Sequence, residues 1–363
     1  MSIYLDYQAT TPLAPEARDA MLPWLGEKFA NPHAAYRAGR EAAAAIEVAR
    51  DAVAALLPPG GRVVFTSGAT EALNWALCRA GTGGLAIGAT EHAAVRDTAL
   101  WLGSEGRAVT DIPVDANGLI DPSGPLPKGT GMVAVMLVNN EIGVIQPVSE
   151  IADTAHRAGA LMLCDAVQGF GRMTIPTGPD LIAISAHKIH GPKGIGALWV
   201  RDGVAIAPLL HGGGQEGGLR SGTLSPALCV GFGAAARVAA ERMAADQAHI
   251  AALWQAAQDE IPDGWHMNGS MDRRYHGNLN LRRTGVDVAR LMSDLRDIAF
   301  SAGSACASGS GRPSHVLRAI GLSDADARAS IRIGFGRYTS EDDLRCALRR
   351  IFQAADEQRQ GIQ

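Results

Sequence analysis

The sequence predicts an α/β protein built on a mostly parallel sheet, with a smaller α+β unit after it. Three observations support this. Short continuous apolar runs alternate with helical patterns between residues 62 and 200, as strands covered on both faces do. Polar, chemistry-bearing residues gather just after those runs, where ligands sit in such sheets. After about residue 204 the texture changes to a glycine-rich loop, a long helical run and a mixed tail.

Along the chain, 4–12 reads as an extended segment leading into a helix that begins near Pro15. An alanine-rich helix over 37–57 is ended by Pro58-Pro59-Gly60-Gly61. A strand at 62–65, a turn at 66–70 and a helix at 71–79 open the alternating region. Further strands are expected at 84–87, 108–112, 133–138, 161–164, 181–184 and 197–200, with helices at 91–102 and 149–158. The glycine-rich loop 211–222 leads to a helix from 225 to about 260. Strands near 278–281 and 331–335 and helices at 286–295, 313–320 and 340–358 complete the pattern. The expected division is a large domain at 12–255 and a small one made of 1–11 and 256–363, which carries the loop around Cys306.

Composition excludes several classes. At 363 residues, with 47% hydrophobic and 19% charged residues, the chain is an ordinary globular sequence able to bury a large core. A net charge of −4, a pI near 6.2 and no basic cluster give no footprint for nucleic acid or a membrane surface. No uncharged apolar run is long enough to span a bilayer, and the opening M-S-I-Y-L-D-Y-Q has neither a basic start nor a long apolar run. Five cysteines, far apart and without C-x-x-C, argue against a disulfide framework or a zinc site. A reducing compartment, by default the cytoplasm, is expected.

The stretch 180–196, D-L-I-A-I-S-A-H-K-I-H-G-P-K-G-I-G, carries the strongest chemical signal. A lysine at the end of a buried strand loses solvation, its pKa falls, and its neutral amine becomes a nucleophile suited to a carbonyl cofactor. Only four lysines occur, and Lys28 and Lys128 lie in surface-like contexts, which leaves Lys188 and Lys193. Asp165, with Gln168 after it, ends another apolar run and needs a cationic partner, which a protonated pyridine nitrogen would supply. A structural ion pair is the plainer reading, but Asp165 and Lys188 end strands expected to share one sheet. Thr66-Ser67-Gly68-Ala69-Thr70, between strand and helix, reads equally as a phosphate cradle or an ordinary cap. Glu91-His92 fits a helix cap, and Asn139-Asn140-Glu141 a turn.

Some signals are set aside. Gly212 to Gly217 matches G-x-G-x-x-G but opens no helix in a βαβ unit. His187 and His190 straddle Lys188 in a poor arrangement for a metal, and none is expected. Asn268-Gly269-Ser270 matches a glycosylation acceptor that an intracellular chain would not use. Cys78, Cys164, Cys229 and Cys346 sit in regular patterns and are expected to pack. Cys306 differs. It lies in S-A-G-S-A-C-A-S-G-S-G, small residues with no apolar period, where one thiol can act as a nucleophile on a delivery arm.

Together, Y-L-D-Y-Q-A-T-T-P, F-T-S-G-A-T-E, E-H, V-N-N-E-I-G, D-A-V-Q, S-A-H-K-I-H-G-P-K-G-I-G, R-S-G-T, S-A-G-S-A-C and S-I-R resemble the NifS/IscS-type cysteine desulfurases. These are pyridoxal-phosphate enzymes of the class V aminotransferase, fold type I, architecture. The motifs run in family order from about Tyr4 to about Arg337. The resemblance implies pyridoxal 5'-phosphate held by Lys188 as a Schiff base, with Asp165 on the pyridine nitrogen and Gln168 on the ring hydroxyl. It implies that His92 stacks on the ring and assists proton transfer. Gly68, Ala69, Thr70, Ser185 and His187 would hold the phosphate, joined by Thr223 from the second subunit of a homodimer. Asn139 and Arg332 would bind the carboxylate of L-cysteine, the arginine by a bidentate fork.

Cys306 would take the substrate sulfur as a persulfide, leaving alanine, for delivery to an acceptor protein in iron–sulfur cluster assembly or thiolation. Asn31-Pro32-His33-Ala34 replaces the usual N-P-S-S. The chain runs to Gln363 without the extension some members use to dock an iron–sulfur scaffold. The competing readings are another class V enzyme, either an aminotransferase or a selenocysteine lyase, and a non-catalytic scaffold.

Overall fold

The computed structural model describes residues 2–303 and 313–360. A short strand, β1 (Ile3–Tyr4), precedes helices α1 (Pro15–Leu25) and α2 (Arg37–Ala54). The alternating region comprises β2 (Gly61–Thr66), α3 (Ala69–Arg79), β3 (Gly84–Gly88), α4 (Ala93–Ser104), β4 (Val109–Ile112), β5 (Thr130–Met136), α5 (Val148–Arg157), β6 (Leu161–Asp165), β7 (Leu181–Ser185) and β8 (Gly196–Arg201). Its strands form one sheet in the order β2-β8-β7-β6-β5-β3-β4. β4, β3, β5, β6 and β7 are parallel, and β8 alone runs antiparallel to both its neighbours.

Every residue of β7 is buried, so neither face of this strand meets water and both must be covered. Helix α5 shows how the cover is made. Val148, Ile151, Ala152 and Ala155 recur at helical spacing and are buried, while Glu150 and Arg157 stay exposed. Removing Val148 and Ile151 from water contributes about 2 kcal/mol each. Gly159, at φ 74°, stops the helix in a left-handed turn that a Cβ would disfavour.

The long helix α6 (Pro226–Glu260) starts at the Ser225 cap, whose Oγ accepts from the Leu228 N–H, and packs on α1 and α2. Beyond it come β9 (His266–Met267), β10 (Asn278–Arg282), α7 (Val288–Asp294), β11 (Ile298–Ala299), β12 (Ser301–Ala302), α8 (His315–Ala319), α9 (Asp324–Arg328), β13 (Ser330–Gly334) and α10 (Glu341–Gln360). An antiparallel sheet of order β12-β13-β10-β9 forms here, and β1 pairs in parallel with β11. Asp6 then bridges to Gly334, so the start of the chain closes on its end.

The long elements match the expected pattern to within a few residues. Four strands of two residues each (β1, β9, β11 and β12) and the short helix α9 were not expected, because so few residues show no period. Two cysteines correct the packing expectation. Cys164 and Cys229 are buried, but Cys78 is half-buried and Cys346 is exposed on the outer face of α10. Asn268 is buried and bonds Asn280 and Ser330, which rules it out as a glycan acceptor in the folded chain.

Candidate active site

β6 and β7 pair in parallel with Asp165 opposite Ala183, so both strands end on the same edge of the sheet. One 3-10 turn, Ala186–Lys188, carries the chain from β7 to the lysine. Asp165 and Lys188 line one cavity of about 550 Å³, with His92, Gln168, Ser185 and His187 around them. Gly68, Ala69 and Thr70 of the β2–α3 turn line it as well, and so does Arg332 of β13.

The Lys188 ammonium donates to the carbonyls of Gln8 at 2.5 Å and Ala9 at 2.8 Å. Burial is the main cause that pushes its pKa down to about 8, with Arg172 and Arg332 adding to it. Arg172 donates to the Lys188 carbonyl at 2.8 Å and to Gln168 Oε1 at 2.7 Å, so one guanidinium sets both residues. Gln168 in turn donates to the Gln8 carbonyl at 2.9 Å.

Asp165 is buried and accepts the Val167 N–H at 3.0 Å. His92 and Lys188 lie close enough to act on its charge. Burial, the largest cause, raises its pKa. A second buried carboxylate, Glu91, lies close enough to repel it. Glu91 accepts the Met136 N–H at 2.6 Å, and burial followed by Asp165 pushes its pKa far up. A buried carboxylate at the cavity wall suits a cationic group bound in the cavity. His92 caps α4, its Nδ1 accepting from the Ala94 N–H at 3.0 Å, so the neutral ring carries its proton on Nε2. It is therefore both the helix cap and a cavity residue.

The opposite wall is the first turn of α3, whose leading N–H groups have no partner within the helix. Close approach here depends on Gly196 in β8, where a Cβ would lie 2.5 Å from the Ile184 carbonyl and 2.8 Å from the Gly68 carbonyl carbon. His187 bonds Thr10 Oγ1 at 3.1 Å, and burial is the main cause that lowers its pKa to about 4. The turn is braced by Glu71, which accepts from the Ser67 N–H and pairs with Arg220 at 2.8 Å. Thr223, three residues on from Arg220, is exposed and lies outside this cavity.

Arg332 is 1% exposed in the middle of β13. It donates to Asp6 at 2.6 Å, to Ser301 Oγ at 3.3 Å and to the Asn140 carbonyl at 3.1 Å, while its buried Nε has no partner among the described residues. One substrate-binding expectation needs correcting. Asn139 does not face the cavity, because its amide donates to the Thr90 carbonyl and its Oδ1 accepts from the Glu141 and Ile142 N–H groups. It shapes the turn, and Asn140 lines the cavity instead. Cys306 lies outside the described residues. Asp6, Gln8, Arg172 and Asn140 were not singled out as site residues. Asp6, Gln8 and Asn140 lay inside quoted motifs, whereas nothing local marked Arg172.

Comparison with known proteins agrees with this geometry. The sequence profile of the family described as Aminotransferase class-V matches residues 3–346. Cysteine desulfurase IscS of Rickettsia bellii (strain OSU 85-389) is 43% identical over 97% of this chain and 90% of its own. A solved NifS-like protein superposes with a TM-score of 0.89 at 31% identity, covering 98% of this chain and 100% of the other. A structure described as SspA in complex with cysteine superposes with a TM-score of 0.82 at 36% identity, covering 93% of this chain and 100% of the other. The chain belongs to the class V aminotransferase family, among its NifS/IscS-like members.

Proposed function

We infer that this protein is a pyridoxal-phosphate-dependent cysteine desulfurase, converting L-cysteine to L-alanine with transfer of the sulfur to Cys306. The observation that carries the reading is the cavity itself. A buried carboxylate, a lysine whose pKa burial lowers to about 8 and a buried arginine all line one space. The cysteine desulfurase names of the relatives support the same reading.

The residues present fit the cofactor. Asp165 has the charge to hold a protonated pyridine nitrogen, and such a cation answers its buried carboxylate. The first turn of α3, with Ser185 and a neutral His187 beside it, suits the phosphate. When bound, the cofactor supplies an electron sink for the substrate's α-carbon.

Lys188 would hold the cofactor aldehyde. Its amine, which the Gln8 and Ala9 carbonyls hold at the cavity wall, would be the base that takes the substrate's α-proton. His92 exchanges a proton through Nε2, since Nδ1 is engaged in the cap. Arg332, which lines the cavity with Asn140 beside it, would bind the substrate carboxylate through its guanidinium. The Cys306 thiolate attacks the substrate sulfur, the C–S bond breaks, and an S–S bond forms. A proton returns to the carbon, leaving alanine and a persulfide that a sulfur-acceptor protein then receives.

A homodimer is part of this proposal. Thr223 is exposed on a loop held to α3 by the Arg220–Glu71 pair, and in a dimer it would reach the phosphate of the second copy. Among the described residues no helix is long and apolar enough to cross a membrane, and a cytoplasmic setting is proposed. The test is the absorbance spectrum of purified protein before and after L-cysteine, with assays for alanine and for persulfide on Cys306. A yellow protein that forms both, while C306A forms neither, supports the reading. Alanine formation that survives in C306A overturns it.

A further inference from the structure

The steps above give no role to Arg172, whose guanidinium lies just outside the cavity. One of its nitrogens donates to Gln168 Oε1 at 2.7 Å and the other to the Lys188 carbonyl at 2.8 Å. Longer contacts reach the Gln168 carbonyl at 3.3 Å and the Tyr7 carbonyl at 3.4 Å. Gln168 Nε2 and Lys188 Nζ meet at a single acceptor, the Gln8 carbonyl, at 2.9 and 2.5 Å. These bonds close a ring through three segments, the N-terminal stretch, the turn after β6 and the turn after β7. We propose that Arg172 is a positioning residue that locks the Gln168 amide with an N–H toward the cavity and holds the turn of Lys188 from behind. The proposal rests on reading the cavity as the cofactor site.

Arg172 is itself held in place. The Phe170 N–H donates to the Ala166 carbonyl at 2.8 Å and the Arg172 N–H to the Gly169 carbonyl at 3.0 Å, which curls the chain and brings residue 172 back to 168. Gln247 of α6 donates to the Arg172 carbonyl at 2.9 Å. The face of Tyr275 lies 5.3 Å from the guanidinium carbon. The space shared by Arg172, Lys188 and Tyr275 measures about 30 Å³. That is room for about two waters and not for a ligand, so Arg172 acts through the residues it holds.

The orientation of the Gln168 amide follows from its two neighbours. Turned over, the amide would set its NH2 against the Arg172 guanidinium and its oxygen against the Gln8 carbonyl, donor to donor and acceptor to acceptor. Arg172 therefore fixes which atom is oxygen. One N–H of Nε2 is spent on the Gln8 carbonyl, and the second is left for the cavity that Gln168 lines. A donor in that place suits a deprotonated ring oxygen on the cofactor. When the Lys188 amine leaves the Gln8 carbonyl, Gln168 keeps that acceptor, and the Arg172 bond to the Lys188 backbone keeps the turn where it was.

The test titrates full-length apoproteins with pyridoxal phosphate and reads both affinity and the absorbance maximum of the attached cofactor. Q168A is expected to weaken capture roughly tenfold and to move the maximum, because a donor to the ring oxygen is lost. R172M should weaken capture by at least as much and move the maximum in the same direction. Replacing Gln168 in the R172M background should then cost less than about threefold more, since the two residues act as one unit. R172K keeps the charge but gathers its donors on one nitrogen, so it serves Gln168 or the Lys188 carbonyl and not both, with an expected loss of about threefold. It is the variant with the smaller risk of unfolding, and melting temperatures are compared for all. Wild-type affinity and spectrum in either R172M or R172K overturns the proposal, as does a full further tenfold loss in the double variant. K188A separates this failure from that of the cofactor reading. If its band is gone, unshifted Arg172 variants sink only the positioning role, and if its band survives, the cofactor reading falls as well.

Discussion

The two ends of the cavity are built differently. The cofactor end rests on adjacent strand ends, Asp165 closing β6 and Ser185 closing β7 with Lys188 in the turn after it, which lie close in both sequence and space. The substrate end is assembled from distant parts of the chain, since Arg332 on β13 is held by Asp6, 326 residues away, and by the Asn140 carbonyl. A parallel sheet delivers several loop starts to one edge, so a few short motifs suffice at the first end. At the second end no local pattern specifies the pairing, and the N-terminal segment must fold back across the whole domain. The cofactor end should therefore fail in colour and chemistry, and the substrate end in affinity.

Lys188→Ala is the largest expected break in that contrast. It removes the amine pinned by Gln8 and Ala9, and the turnover rate should fall by about 10⁴-fold or more. The spectral band of attached cofactor should vanish, and a retained band in the variant would reassign the attachment point. Asp165→Asn comes next, with an expected loss on the order of 10³-fold in kcat because the charge holding the pyridine proton is gone. Here cofactor content should remain while its spectrum shifts, and an unaltered spectrum would refute the assigned contact.

At the substrate end, Arg332→Lys should raise KM about 100-fold with kcat and spectrum little changed, since lysine cannot form the fork. A kcat defect equal to the KM defect would show that the two ends are not separable. Asp6→Asn should have a smaller effect, about tenfold in KM, because the neutral amide still accepts from Arg332 but orients it less firmly.

The mildest probe is pH. With a pKa near 8, about a tenth of the Lys188 side chains are neutral at pH 7, against roughly one in 3,000 for an ordinary lysine near 10.5. Capture of pyridoxal phosphate by the apoprotein should therefore accelerate up to about pH 8 and then level off. A rate still climbing towards pH 10 would contradict the depressed value. The linkage has a definite sign. Between about 8 and 10.5 the unfolded chain binds a proton that the folded lysine does not, so this group makes the fold more stable as pH rises through that window.

Legibility followed the same contrast. Continuous apolar runs such as 181–184 marked the central strands, and the polar residues after them marked Asp165, Gln168 and Lys188, all of which line the cavity. Asn139 was misplaced by one residue because a turn can direct either of two adjacent asparagines inward. Only the bonds to Thr90, Glu141 and Ile142 show that the first is occupied. Arg172 had no local mark, since an arginine after Phe170-Gly171 resembles any surface arginine until its bonds to Gln168 and Lys188 are seen.

What the sequence determined by itself was the α/β pattern, the strand-end chemistry and the family, because hydrophobic period and short motifs are local properties of the chain. The tertiary structure alone decided the rest. It set the pairing of Arg332 with Asp6, the carbonyl pair that holds Lys188, and the burial of Asp165. Burial and long-range contact control these features, and neither is a property of any short stretch of sequence.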